Sequence, residues 1–216
     1  MKIDFVSDVA CPWCAVGLNS LERALQRIGA ELPVELHFQP FELNPQMAPE
    51  GEDAAEHLKA KYGMNDAQLA HNRGVLHERG AAVGFVFGER PRVWNTFDAH
   101  RLLHWAGLEG KQRELKHALL QAYHGEARNP GAADVLLDLA ARVGLDATEA
   151  AEVIRSGAYA AEVREAEQFW QQAGIHSVPA VVINDRHLIQ GGQPPEVFEQ
   201  ALRQIAQEGT QKASGG

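Results

Sequence analysis

At 216 residues, with 45% hydrophobic and 23% charged side chains, the chain can bury a sizeable core as one domain carrying a large insertion. A formal net charge of −9, with lysines and arginines scattered among acids, excludes a nucleic-acid surface as the first reading. No apolar run is long enough to span a bilayer, so no membrane partner is expected. The first predicted element is a strand in "KIDFV", where Ile3 and Phe5 alternate with Lys2 and Asp4. "CPWC" follows at Cys11–Cys14, and then Leu21, Leu25 and Ile28 recur at helical spacing up to Gly29. "PVELHFQP" sets Val34, Leu36 and Phe38 against Glu35 and His37 as a second strand, fenced by Pro33 and Pro40.

From about Pro45 to Gly174 the texture is alanine-rich and amphipathic. Gly63, Gly107, Gly125, Gly144, Gly157 and Gly174 read as helix stops, where left-handed geometry costs glycine least. "WNTFDAHRLLHWAG" predicts a helix capped by Asn95 that buries Phe97, Leu102 and Trp105. Strand texture returns in "PAVVIN", and Asn184, Asp185 and Arg186 turn the chain into "HLIQGG". The last helix opens at Pro195, with Val197, Phe198, Ala201, Leu202 and Ile205 on one face. The order is therefore β-α-β, a helical block, then β-β-α, an α/β fold with a mixed sheet. Residues 1–44 and 175–208 are expected to form the discontinuous sheet domain, 45–174 the inserted helical domain, and 209–216 a flexible tail.

Cys11 and Cys14 are the only cysteines. The N-terminal stretch has no apolar segment of signal-peptide length, so the chain reads as cytoplasmic, where a permanent structural disulfide is disfavoured. A zinc site needs four ligands. His100 and His104 would have to complete it from more than 80 residues away, and "CPWC" opens a helix instead of a knuckle, so no metal is expected. The remaining histidines, His124 among them, show no ligand spacing. A redox pair is left. Cys11 falls at a helix N-terminus, where free backbone N–H groups and the helix dipole stabilise a thiolate. Cys14, one turn on and facing inward, would resolve a mixed disulfide. "SVPAVVIN" places Pro179 at a strand start, where proline is tolerated. The Val178–Pro179 bond reads equally as cis or trans from sequence.

"CPWC" after the first strand, "NTFDAHRL" in the helical block, "SVPAVVIN" and "GGQPPEVFEQAL" together resemble the DsbA superfamily over residues 2–206, most closely its FrnE-like branch. The resemblance implies a thioredoxin fold with a large all-α insertion and thiol–disulfide oxidoreductase activity. It makes Cys11 the nucleophile, Cys14 the resolving thiol and Pro179 the cis-proline of a substrate-docking loop with Val178. Family members place the cleft between the subdomains, so Pro12, Trp13, Trp94, Asn95 and Thr96 are expected to line it. A disulfide-containing protein or a small thiol is the expected partner, glutathione is left open as a co-substrate, and no cofactor is expected beyond the Cys11–Cys14 disulfide. Two departures stand out: Trp13 occupies the place where the secreted-protein oxidases of the family usually carry histidine, and the extra C-terminal cysteines of some FrnE-like proteins are missing.

The same resemblance reaches glutathione-dependent isomerases and transferases of the 2-hydroxychromene-2-carboxylate isomerase and kappa-class type, which usually carry serine at the first active position. The intact cysteine pair favours redox cycling over that alternative. A non-catalytic chaperone or binding module is a third reading. Trp105 and Trp170 read as core, Trp13 as an exposed substrate contact, and Arg90 and Arg92 as solvated loop charges.

Overall fold

The computed structural model describes the backbone of residues 1–214 and the surroundings of side chains up to residue 209. Strand β1 (Lys2–Ser7) leads through a short loop into helix α1 (Pro12–Ile28), and β2 (Glu35–Pro40) returns parallel to β1. After the helical segment, β5 (Ala180–Ile183) pairs antiparallel with β1, β6 (His187–Gln190) pairs with β5, and α9 (Pro195–Ser214) closes the fold. The sheet order is β2-β1-β5-β6. Asn184 and Asp185, both at positive φ (51° and 55°), form the tight β5–β6 turn that their residue types favour.

Between β2 and β5 lie a two-residue ribbon of β3 (Glu52–Asp53) and β4 (Arg92–Val93) and seven helices. These are α2 (Ala54–Tyr62), α3 (Asp66–Ala82), α4 (Phe97–Leu108), α5 (Gln112–Leu120), α6 (Ala133–Arg142), α7 (Ala147–Ser156) and α8 (Ala160–Gln172). A π-helical turn, Gln121–Gly125, extends α5. The glycine expectation holds at Gly63, Gly144, Gly157 and Gly174, all at positive φ. It fails at Gly107, which lies inside α4 while Gly110 makes the turn, and at Gly125, which ends the π-helical turn. The α4 cap is Thr96, one residue later than expected, although the Asn95 side chain still accepts from Phe97 N at 2.9 Å. Helix α9 continues through residues 209–214, part of the segment expected as tail, and residues 215–216 lie outside the described residues.

Strand β1 is covered on both faces. Ile3 and Phe5 pack with Leu18 and Leu21 of α1 and Phe198 and Leu202 of α9. The opposite face, expected to be polar, lies under Trp170 of α8, Phe41 and Ile175, which pack on Val6. Asp4 is consequently fully buried, and its carboxylate accepts from Gln39 at 2.6 Å. A second core holds α4, α5, α6 and α7 together, and it includes Val9 and Ala10 from the loop before Cys11. Chain from the helical segment enters the sheet core in turn, through Val83, Phe85, Phe87 and Leu120. The helical segment and the loop that carries the cysteines are thus packed as one body. No helix among the described residues is long and apolar enough to cross a membrane.

Candidate active site

Cys11 is the N-cap of α1, with extended backbone, and Pro12 occupies the first turn, where its missing N–H costs nothing. Cys14 N donates to the Cys11 carbonyl at 3.1 Å, closing the first turn of the helix. Both thiols are free. Cys11 is 4% exposed and Cys14 fully buried, so an incoming disulfide can reach only the first sulfur. The Cys14 thiol, acting as hydrogen-bond donor to Cys11, holds the Cys11 thiol below its ordinary range, against burial. Burial and the neighbouring Cys11 push Cys14 well above the usual thiol range, and the positive charge of Lys116 partly opposes them. The two thiols are therefore electrically unequal, with the outer one the more readily ionised.

The loop that delivers Cys11 is held residue by residue. Asp8 is fully buried, and its carboxylate accepts from Ala10 N (3.0 Å), Leu43 N (2.7 Å), Thr96 Oγ1 (2.7 Å) and His100 Nε2 (3.3 Å). Burial opposes its ionisation, but His100 and the two amides outweigh burial and keep Asp8 below the ordinary carboxylate range. The Val9 carbonyl accepts from His124 Nε2 at 2.8 Å, and burial pushes that imidazole down to about 3, which leaves it neutral. The Ala10 carbonyl accepts from Arg90 at 3.1 Å. Each of the three residues before Cys11 is thereby tied to a side chain of the helical segment, over 80 to 115 residues of sequence.

On the other side, the Val178–Pro179 peptide bond is cis, and the Cys11 thiol donates to the Val178 carbonyl at 3.5 Å. The buried Pro179 ring lies against Gly17, where an added Cβ would come within 2.9 Å of Pro179 Cγ. Gly17→Val is therefore expected to destabilise the protein by about 1–3 kcal/mol through overpacking. Gly74→Ala, on the open face of α3 with nothing within 4 Å, should stabilise it by about 1 kcal/mol. Thermal unfolding of the two variants checks the contrast; equal shifts would contradict the close approach.

The expected site residues do not all meet at the thiols. Cys11, Cys14, Pro12, Trp13, Val178 and Pro179 gather at the start of α1. Trp13 is half-buried instead of exposed, set against Gly192, with Arg79 over its ring at 5.9 Å and bonded to the Gly192 carbonyl at 2.6 Å. Thr96 is 2% exposed and gives its hydroxyl to Asp8, so it supports the loop and does not line an open cleft. Asn95 donates to the Met47 carbonyl, and Trp94 packs edge-on to Tyr123 with ring centroids 5.7 Å apart. Arg90 is no solvated loop charge: besides the Ala10 bond, it lies over the Tyr123 ring at 5.9 Å. Arg92 is exposed, as expected, and bonds the carbonyls of Glu50 and Gly51.

Asp8, Lys116, His124 and Tyr62 went unmarked as functional by sequence reasoning. Tyr62, half exposed at the end of α2, has its phenol raised by burial and by the charge of nearby Cys11. A signal for Lys116 existed: it interrupts the stripe of Leu115, Leu119 and Leu120, and a lysine inside an apolar stripe is rarely fully buried without a role.

A helix-opening dithiol beside a proline loop, on this sheet order with a helical insertion, defines a thioredoxin-fold protein of the DsbA type. The model of the DSBA-like thioredoxin domain family matches residues 2–203, and the chain belongs to that family. It is similar to a probable DsbA oxidoreductase from Streptomyces coelicolor, at 37% identity and TM-score 0.91 over 96% of this chain and 91% of that one. YwbO of Bacillus subtilis is 28% identical over 94% of this chain and 96% of its own length. A 2-hydroxychromene-2-carboxylate isomerase shares the fold at 15% identity and TM-score 0.76, over 98% of both chains.

Proposed function

We propose that the protein is a dithiol–disulfide oxidoreductase in which Cys11 is the nucleophile and Cys14 the resolving thiol. The observation that carries this reading is the inequality of the two sulfurs: Cys11 caps α1 with its thiol pKa lowered, whereas Cys14 is fully buried behind it with its thiol pKa raised. The Cys11 thiolate attacks one sulfur of a substrate disulfide, and the first substrate thiolate leaves and takes up a proton. Cys14 then loses its proton and attacks Cys11 Sγ, which releases the second substrate thiol. The pair ends as the Cys11–Cys14 disulfide, and the substrate has gained two electrons and two protons.

Two molecules of a small thiol such as glutathione would reset the dithiol and leave as their disulfide; the sequence runs in either direction. The loop of Val178 and Pro179 is the docking wall for substrate, because the Val178 carbonyl accepts from the Cys11 thiol and is freed beside the attacking sulfur once that thiol gives up its proton. Both cysteines are used by the reaction and none remains for a structural bridge, the usage expected of a cytoplasmic chain. The order of the four motifs supports placement in the FrnE-like branch.

An isomerase that uses glutathione through a hydroxyl needs no second cysteine, and this inequality would then have no purpose. Reduction of a disulfide-bonded model peptide by glutathione, catalysed by the protein, tests the assignment. Cys11→Ser is expected to lose at least about a thousandfold in rate, as removal of a covalent nucleophile does. Undiminished catalysis by that variant would overturn the reading.

A further inference from the structure

A cavity of about 280 Å³ opens between the free edge of β2 and helices α4, α5 and α8. No acidic side chain is among the described residues that line it. Its lining includes the apolar Phe38, Leu103 and Val163 and the polar Lys116, His100, His104, Gln39 and Gln112. Lys116 is 1% exposed, yet its ammonium makes no hydrogen bond or ion pair among the described residues. Burial lowers the Lys116 ammonium, and Cys14, Asp8 and Cys11 support it only from a distance, so a directly bonded anion in the adjoining space would relieve the cost of burying the charge.

His100 is held through Nε2 by Asp8, and His104 lies against the Tyr159 ring with centroids 5.1 Å apart, so both imidazoles are fixed in place. His37 at the mouth already faces Glu35 at 3.9 Å, which leaves Lys116 as the cation that an incoming anion meets. The volume lies just below the roughly 300–1,000 Å³ of drug-sized sites, so the ligand is compact.

From these features we infer that the cavity binds a small organic monocarboxylate, its head group on Lys116 and its apolar body against Phe38, Leu103 and Val163. A carboxylate there makes the charge-assisted hydrogen bonds that Lys116 lacks. The site has a consequence for the dithiol, which rests on the redox reading given above. Lys116 is close enough to both sulfurs for its charge to act on them. In the reduced protein, ionisation of Cys11 puts a second anion on the same cation, which the ligand carboxylate opposes, whereas the disulfide carries no charge. The ligand therefore binds the oxidised protein more tightly, and by linkage it makes the pair harder to reduce. A tenfold preference corresponds to a potential about 30 mV more negative.

Isothermal titration calorimetry with sodium benzoate and sodium butyrate, at constant ionic strength set by chloride, tests the site on the oxidised full chain. Saturable one-to-one binding of either carboxylate is expected, with benzyl alcohol at least tenfold weaker and Lys116→Met at least tenfold weaker. His104→Phe and Ala166→Phe fill the cavity from partly buried positions and should block binding, which keeps the test decisive if Lys116→Met does not fold. Absence of saturable binding to the wild type, or binding unchanged in the folded variants, would overturn the site. Repeating the titration on the reduced protein should show at least fivefold weaker binding, and equal affinity for both redox forms would overturn the linkage. Failure of the redox reading itself shows separately, as absence of a Cys11–Cys14 disulfide by mass under oxidised glutathione.

Discussion

Asp8→Ala is expected to destabilise the protein by about 3–5 kcal/mol, the cost of removing one partner from a buried, hydrogen-bonded charge cluster. The substitution strips the acceptor from Thr96 Oγ1, His100 Nε2 and the amides of Leu43 and Ala10 at once. For a chain of this size that corresponds to a fall in Tm of roughly 6–20 °C. Asp8 is held below its ordinary carboxylate range, so its stabilisation is present above about pH 4 and is lost as the pH falls through its native pKa. Asp8→Asn keeps an acceptor oxygen and should cost less. Its informative effect is on Cys11: the Asp8 charge raises the Cys11 thiol, so its removal should lower that pKa further. Thermal unfolding and the pH dependence of Cys11 alkylation read the two effects. A stability loss below about 1 kcal/mol in Asp8→Ala would show that the cluster does not anchor the loop.

Cys14→Ser should convert a transient intermediate into an isolable product. With the resolving thiol gone, the mixed disulfide between Cys11 and glutathione can be released only by a second thiol from solution. Intramolecular attack by a well-placed group is equivalent to effective concentrations many orders above those of free thiols, so release should slow by at least about a thousandfold. Intact-protein mass after exposure to oxidised glutathione should therefore show one glutathionyl adduct in Cys14→Ser and an internal disulfide in the wild type. The full burial of Cys14 predisposes the assignment in this order. Persistent adducts in the wild type, or their accumulation on Cys14 in Cys11→Ser, would reverse the roles.

Features written in local patterns were legible from the sequence. The strand and helix that flank the cysteines, the Asn184–Asp185 turn and the final helix all follow from periodicity and turn chemistry within ten to twenty residues. Cys11 and Cys14 stand out locally by their spacing at a helix start, whereas Pro179 is a site residue only through the family resemblance, and it meets the thiols only through the β1–β5 pairing. The supports of the site were not legible, because each is defined by a partner far along the chain. His124 is an ordinary helix-end histidine until Val9 stands 2.8 Å away, and Arg90 a loop charge until Ala10 does. Asp4 reads as the polar half of a strand alternation; only the placement of Trp170 and Ile175 on that side of β1 buries it. Thr96 was marked for the wrong reason, as a cleft residue, when its hydroxyl serves Asp8 from beneath.

Those supports also explain why a helical segment of this size interrupts the sheet domain. Val9 and Ala10 belong to the core built by α4, α5, α6 and α7, so the segment grips the backbone that presents Cys11 as well as covering it. Thiol–disulfide exchange needs the attacking sulfur, the resolving sulfur and the docking loop held in register. Here the first is fixed from the helical segment, the second from inside α1 and the third from the start of β5.

The most direct test is an equilibrium titration of the wild-type chain across glutathione redox buffers, with thiols trapped by alkylation and counted by mass. The expected result is a single reversible transition between two free thiols and one Cys11–Cys14 disulfide, following a two-electron dependence and absent from both Cys11→Ser and Cys14→Ser. A wild-type chain that keeps two free thiols across the whole range would contradict the account.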